Sequence, residues 1–445
     1  VSNAFLSRVL HGPMDRHTLP VLEFLERVRA RVSHWIGPVP KDLDGRFGPG
    51  STLCCRGQLA TAADKMSVKP TTTLHALGLI RHLWEETSWG RAAASRVSRG
   101  ETVYVEGLLN YVSVVDRAEW MSVPKTAITD RSIEVGPSLN VFYQLAVGER
   151  LKVSFLSKGW DLRNAAGAHR ALAREASITG SHATIDLSSA SDTVSKLLVK
   201  ACLPSDWYDL LDHLRTKRTQ TRKGPVFLEK FSGMGNGYTF ELESVLFMAI
   251  CQEVMTLMEM PTRVGIDISV FGDDIIVPTA AAQKCIETLK LLGFETNVDK
   301  TFVDGPFRES CGGDFFAGKA VRPHYAKKFP EEPQEWMAYA NGLRRVAMDH
   351  FGDFERASAF RAAWLRILDA IPKSIRECRG PSDLGDIVIH DDRQYWTTRT
   401  ESSIRYIRTY SPVLALTGLR KGGAVVEIDN FFPEVQLATV LAGRA

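Results

Sequence analysis

The sequence predicts an α+β fold in three lobes, with a compact sheet in the middle of the chain. Three observations carry this. Apolar residues at helical spacing dominate both ends, and strand-like segments concentrate between residues 182 and 330. The order there is strand, two helices, loop, helix, hairpin, helix and strand, without the regular βαβαβ alternation of a doubly wound parallel sheet. The 445 residues are 44% hydrophobic and 24% charged, enough for a large core of ordinary globular character. Net charge is only +3, so bulk electrostatics do not mark a nucleic-acid binder, and any basic surface must be local. Of seven cysteines, only Cys54 and Cys55 are close together. They give neither a disulfide framework nor zinc spacing, and point to reduced thiols in a cytosolic setting. No apolar run reaches the ~18 residues of a membrane span. The chain opens without a secretory signal pattern, and Val1 in place of Met leaves its start open to processing or missing residues.

Taken in order, "LPVLEFLERVRARVSHWIG" (19–37) is an amphipathic helix ended by Gly37-Pro38. "GRFGPGSTLCCRGQ" (45–58) is loop, punctuated by Gly-Pro-Gly. Residues 73–98 have a helical pattern, 120–137 mix β-branched residues with Pro and charges as extended strand and loop, and 140–157 return to helix. "HATIDLSS" (182–189) has β character and ends in small polar residues. Val194, Leu197, Leu198 and Ala201 then repeat at helical spacing until Pro204, and Trp207, Leu210, Leu211 and Leu214 mark a second helix. The Gly-rich loop "SGMGNG" (232–237) opens a long helix with Leu242, Val245, Leu246, Ala249 and Ile250 on one face, closed by Pro261. "ISVFGDDIIVP" (268–278) is strand–turn–strand, 281–294 is a helix with Gly293 at its C-terminal end, and 296–323 alternates short strands and turns. From residue 331 the chain is mainly helical again, with Trp336, Trp364 and Trp396 assigned to its core.

Chemistry concentrates in the hairpin. Apolar strands hold a Gly272-Asp273-Asp274 turn, and charges so close to a core require a partner or a cation. A bare acidic β-turn is the plain alternative. Asp186, at the end of "HATID", supplies a second source of carboxylate. Adjacent strands would bring it beside Asp273, and three carboxylates from two strands could hold two Mg²⁺ ions ~4 Å apart, as two-metal phosphoryl transfer requires. Mn²⁺ is a possible substitute. The Gly-rich loop adds one hydroxyl, Ser232, and one amide, Asn236.

The ordered set "TIDLSSASDTVS", "SGMGNGYTFELES" and "VFGDDIIV" resembles motifs A, B and C of right-hand RNA-dependent RNA polymerases, and within them the replicase catalytic subunit of leviviruses, the positive-strand RNA phages. "VPKTAITDRSI" (123–133) resembles their motif F, "GFETNVDKTF" (293–302) motif D, "GPFRESCGGDFFAG" (305–318) the segment after it, and "RFGPGS" (46–51) an N-terminal loop; the likeness covers roughly residues 45–325. It implies fingers, palm and thumb: residues 1–181 as N-terminal region and fingers, 182–330 as a palm whose small antiparallel sheet is flanked by helices, with a fingers insertion around 203–231, and 331–445 as a helical thumb. It implies Asp186 and Asp273 as principal metal ligands, with Asp274 a weaker or outer one. It makes Asp192 and Asn236 sensors of the ribose 2′-OH, a group that both donates and accepts. Ser191 is the alternative to Asp192, and Ser232 helps to place template or nucleotide. Lys125 and Arg131 would bind the incoming triphosphate, and Lys300 would be a general acid for pyrophosphate. Two departures stand out. Phe271 replaces the usual tyrosine before the paired aspartates, and Gly136 stands before Pro137 where the pattern has Glu, with Glu134 two residues earlier.

The densest basic run, "LRTKRTQTRKG" (214–224), offers Arg215, Lys217, Arg218, Arg222 and Lys223 to a template channel, or else is a solvated loop. Arg344-Arg345 and Arg420-Lys421 are too short to assign. The resemblance further implies RNA template and product, NTPs, host elongation factors Tu and Ts and a ribosomal RNA-binding protein as partners, and the cytoplasm of the bacterial host as the place of action. A reverse transcriptase would carry a bulky residue after the first motif, where this chain has the small, polar Ser188-Ser189-Ala190-Ser191. A non-catalytic RNA-binding replication protein would leave the hairpin as a turn only.

Overall fold

The computed structural model describes residues 2–12, 15–56, 60–84, 87–91, 112–125, 129–325 and 329–411. Arg420, Lys421 and the helical pattern over 92–98 lie outside them. Among these residues the chain forms two compact units, one of residues 2–125 and 130–311, the other of 129 and 312–411. The segments 1–181 and 182–311 thus share one unit, and its limit falls at Cys311 rather than at residue 330.

The first unit runs α1 (Ser2–His11), α2 (Leu19–Ile36), α3 (Ala62–Ser67), β1 (Thr71–Thr73), α4 (Leu74–Trp84), β2 (Ser113–Val115), β3 (Ala118–Pro124), β4 (Asp130–Val135), α5 (Ser138–Ser157) and α6 (Ala165–Thr179). It continues through β5 (His182–Ile185), β6 (Leu187–Ser188), α7 (Ala190–Thr193), α8 (Lys196–Cys202), α9 (Ser205–Leu214), β7 (Arg218–Thr221), β8 (Gly224–Phe227), α10 (Thr239–Leu257), β9 (Ser269–Phe271), β10 (Asp274–Pro278), α11 (Thr279–Leu291), β11 (Glu295–Thr296) and β12 (Phe307–Ser310). Helix α2 buries Leu25, Val28, Val32, Trp35 and Ile36, the stripe its spacing predicts, and Gly37 ends it at φ +66 with its N–H returned to Ser33. The pattern at Val194 does not start a helix: Ser195 caps α8, its hydroxyl accepting from the Leu198 N–H, and Val194 links α7 to it.

Two sheets position the site. In the central one the order is β5–β10–β9, all antiparallel, with Ile275 opposite Ile185 on one side and Val270 on the other. In the second the order is β4–β3–β7–β8, so the basic run, expected as a template-channel face or a solvated loop, folds into the end of α9 and the β7–β8 hairpin. Helix α10 is buried on nearly every side from Thr239 to Met255. It therefore forms the axis of the unit rather than a one-faced surface helix.

The second unit contains β13 (Gly313–Phe316), β14 (Lys319–Ala320), α12 (Pro333–Phe351), α13 (Ser358–Ala370) and α14 (Lys373–Arg376). From Glu377 to Ser411, the last described residue, the helical expectation fails. Short strands follow, β15 (Arg379–Gly380), β16 (Ile389–His390), β17 (Thr398–Glu401) and β18 (Ile404–Ile407), joined by 3₁₀ turns. Its separate core gathers Met337, Ala340, Trp364, Leu368 and Ile389, with Trp336 packed at the edge. Arg344 is nearly buried there, paired with Asp391 and Asp392.

Candidate active site

The β9–β10 hairpin turns on two residues, Gly272 and Asp273, and Asp274 already belongs to β10, opposite Phe271. Gly272 has φ +63 while Asp273 does not enter the left-handed region, the pattern of a turn with Gly at its first central position. Three contacts from α10 fix this turn. The Gly272 N–H donates to Ser244 Oγ at 2.8 Å, and that hydroxyl donates to the Phe240 carbonyl at 2.7 Å. The Phe240 ring packs edge-on against Phe271, 4.7 Å between centroids. It also stands 2.6 Å from where a Cβ on Gly272 would be. Only glycine satisfies both the dihedral and the ring.

The β10–β5 ladder ends at the Ile275–Ile185 pair, and Asp274 and Asp186 are the next residues of the two segments beyond it. The three carboxylates lie at one edge of this sheet, near enough for their charges to act on one another, and two of them are held by hydrogen bonds. Asp186 accepts from Asn297 Nδ2 at 2.9 Å, and its carbonyl accepts from the Asn297 N–H at 2.9 Å. Burial, then the neighbouring Asp273 charge, raise its pKa above the usual carboxylate range. Asp274 accepts from Ser310 Oγ and the Cys311 N–H, both at 3.3 Å. Burial first, then Asp273, push its pKa up to about 6. Asp273 accepts no hydrogen bond among the described residues. Like charges crowded on a partly buried edge raise the cost of ionising Asp186 and Asp274. The donors are all oxygen, the chemistry suited to a hard divalent cation. As placed, however, no three His, Cys, Asp or Glu side chains among the described residues close around one point.

Asp192 lies on α7, beyond the left-handed Ser189 (φ +53). One carboxylate oxygen meets Lys230 Nζ at 2.8 Å and the other accepts from Ser132 Oγ at 3.3 Å. Ser191 makes no such contact, so Asp192 is the residue tied into the site. Asn236 stays in the loop before α10, its side-chain oxygen accepting from the Tyr238 N–H at 3.1 Å. Lys300 pairs with Glu309 at 3.0 Å. Burial lowers its pKa, but Glu309, Asp186 and Asp274 outweigh that and raise it, which places the ammonium in the field of the cluster.

Several of the predicted site residues are engaged or enclosed by the protein itself. Ser232 is 3% exposed, its hydroxyl buried without a hydrogen-bond partner, and it lines a small cavity with Asn236 and Glu134. Arg215, expected to face RNA, is 4% exposed; its guanidinium pairs with Asp212 at 2.7 Å and lies over Phe231. Lys217 shares Asp212, and Arg218 pairs with Asp116 and stacks on Phe227, 4.2 Å from the ring centre. Arg222 and Lys223 alone of the run are exposed, at the β7–β8 turn. Lys125 and Arg131 are exposed near the end of the β3–β4 hairpin, and alternation along β4 turns Arg131 to the face opposite Ser132 and Glu134. The glycines of the loop serve protein packing: a Cβ on Gly235 (φ +106) would sit 2.1 Å from the Glu134 carbonyl, and one on Gly237 would sit 2.7 Å from the Leu145 nitrogen.

Sequence reasoning missed Asn297, Ser310, Lys230, Ser244 and Glu243. Glu243 lies within α10, its Oε1 buried without a partner. Burial first, then Asp273, Asp192 and Glu241, push its pKa up to about 8, which favours its protonated form.

The arrangement comprises a hairpin tip, a facing strand end and a Gly-rich loop opening a helix, with carboxylates on the first two. The family model described as RNA replicase, beta-chain, matches residues 15–384, and the chain belongs to that family. It is 37% identical over 369 residues to the RNA-directed RNA polymerase subunit beta of Escherichia virus Qbeta, covering 81% of this chain and 58% of that protein. To the RNA-directed RNA polymerase beta chain of Escherichia phage MS2 it is 38% identical over 251 residues, 56% of this chain and 45% of that one. The chain thus spans about half the length of these relatives. A solved RNA-dependent RNA polymerase of a human picobirnavirus, an insertion-loop deletion mutant, matches over 83% of each chain at 14% identity and a TM-score of 0.36, too distant to carry residue correspondences. No helix among the described residues is long and apolar enough to cross a membrane.

Proposed function

We propose that the chain is a template-directed RNA-dependent RNA polymerase that copies a positive-strand RNA phage genome, joining NTPs with release of pyrophosphate. The observation that carries this reading is the mutual electrostatic influence of Asp186, Asp273 and Asp274 at one end of the central sheet, with Asp192 engaged by Lys230. Asp186 and Asp273 would be the main ligands for Mg²⁺, and Asp274, already engaged by Ser310 and Cys311, would be the outer one. The remaining ligands are substrate oxygens and water, the usual share for this ion. When bound, Mg²⁺ supplies an acidified attacking hydroxyl and charge compensation at the leaving pyrophosphate.

The chain's own residues do the rest. Ser244 and Phe240 hold the turn still, so Asp273 is pre-aimed. Asp192 and Asn236 read the ribose hydroxyl, and Lys125 and Arg131 are the cations offered to the triphosphate, Arg131 from the face of β4 away from Ser132. Lys300 is positioned to donate a proton to pyrophosphate, although its pairing with Glu309 makes that proton harder to release. Arg222 and Lys223 are the members of the basic run free to touch RNA phosphates. In family terms the central sheet is palm, β3–β4–β7–β8 belongs to fingers, and the second unit supplies thumb. Host elongation factors Tu and Ts and a ribosomal RNA-binding protein are the partners this reading brings, and the host cytoplasm is its setting.

The test is extension on an RNA template with Mg²⁺, with and without those host proteins, supplying NTPs or dNTPs. NTP-dependent product is expected. Product from dNTPs alone would assign a reverse transcriptase, and no product under any condition would leave a non-catalytic RNA-binding protein.

A further inference from the structure

We infer that Lys230 is the positioning residue that aims Asp192 at the ribose of the incoming nucleotide, and so sets the preference for ribonucleotides. The inference rests on the polymerase reading. It adds a specificity determinant from outside the motifs that carry the resemblance.

The geometry is a single ammonium between two carboxylates from separate elements. Lys230 Nζ lies 2.6 Å from Glu134 Oε1 on β4 and 2.8 Å from Asp192 Oδ1 on α7. Lys230 and Glu134 are largely shielded, with side chains 16% and 10% exposed, whereas Asp192 is 41% exposed. The cation is therefore anchored on its inner side by Glu134 and presents its outer side to a carboxylate that still faces solvent. Burial opposes the ammonium, but Glu134 and Asp192 outweigh it and hold its pKa above the ordinary lysine value. It remains charged throughout the physiological range.

The backbone is fixed as firmly as the side chain. The Phe231 N–H donates to the Val194 carbonyl at 2.8 Å and the Lys196 N–H to the Glu229 carbonyl at 3.1 Å, so Lys230 runs beside the chain leaving α7. On the other side the Glu134 N–H donates to the Met234 carbonyl at 2.8 Å. Gly233 leaves room for the pair: a Cβ there would lie 2.5 Å from Lys230 Nζ. Lys230 thus joins β4, α7 and the loop that carries Asn236. With Lys230 on one oxygen and Ser132 Oγ on the other, the Asp192 carboxylate has one orientation. A hydrogen bond to a 2′-OH discriminates only if its acceptor is held in place beforehand.

The experiment measures single-nucleotide incorporation of NTP and of the matching dNTP opposite an RNA template by the full chain with its host partners, and takes the ratio of kcat/KM. Lys230→Gln is expected to lower that ratio by about tenfold or more, while Lys230→Arg, which keeps the charge, retains most of it. An unchanged ratio in Lys230→Gln, or an equal loss in Lys230→Arg, would overturn the inference. Should Lys230→Gln fail to fold by circular dichroism, the ratio is read in Glu134→Gln, which removes the anchor. A fall there supports the assignment and an unchanged ratio overturns it. If the wild-type chain incorporates no nucleotide, the polymerase reading itself fails and takes the inference with it. Wild-type activity with an unchanged ratio in the variants defeats the inference alone.

Discussion

At the scale of single residues, the site depends on groups that remove freedom from carboxylates. Asn297 holds Asp186, Ser310 and the Cys311 N–H hold Asp274, and Asp273 is held only through its turn. Gly272 bears most of that last burden. Gly272→Ala forces an L-residue to φ +63 against a ring 2.6 Å away, and is expected to cost about 1–3 kcal/mol in urea unfolding. In a Phe240→Ala background, where the ring is gone, Gly272→Ala should cost less stability than in the wild type. If Gly272→Ala is as stable as the wild type, the clamp is not what fixes the turn. The carboxylates themselves were legible in the sequence, because a strand end and a hairpin tip are local features. Their holders were not. Asn297 and Ser310 meet them only through the fold, and one helical stripe of apolar residues predicts an exposed Glu243 where α10 is buried on nearly every side.

At the scale of elements, α6 is coupled to the sheet through His169. Its Nδ1 lies 3.1 Å from Ser310 Oγ, the hydroxyl that donates to Asp274. Burial lowers the His169 pKa to about 4. The unfolded chain binds the extra proton between the ordinary histidine value of 6.5 and that folded value, so stability falls as pH drops through this window and is unaffected above it. Wild type should lose on the order of 2–3 kcal/mol relative to His169→Asn between pH 7 and pH 4. Urea melts at both pH values check this, and parallel loss in the two proteins would contradict it. Long helices and the central hairpin were readable from periodicity. The basic run was not, because Asp212 and Asp116, which neutralise three of its five cations, reach them through turns and strand pairing. The two-residue strands after Arg376 carry too few residues for any pattern to show.

At the scale of the whole molecule, a chain of net charge +3 concentrates acid at one edge of its central sheet. Bulk charge therefore said nothing of the site, whereas the order of the three carboxylate and glycine segments did. Family membership across residues 15–384 takes in both units, and the unit that contains the carboxylate edge accounts for every contact the proposed chemistry uses. The central claim is that this edge performs nucleotidyl transfer and that its carboxylates are unequal. The direct measurement is single-turnover NTP incorporation on an RNA template with Mg²⁺, comparing wild type, Asp273→Asn and Asp274→Asn. A loss of about 10³-fold or more is predicted for Asp273→Asn, with a clearly smaller loss for Asp274→Asn. Incorporation by Asp273→Asn at the wild-type rate would contradict the account.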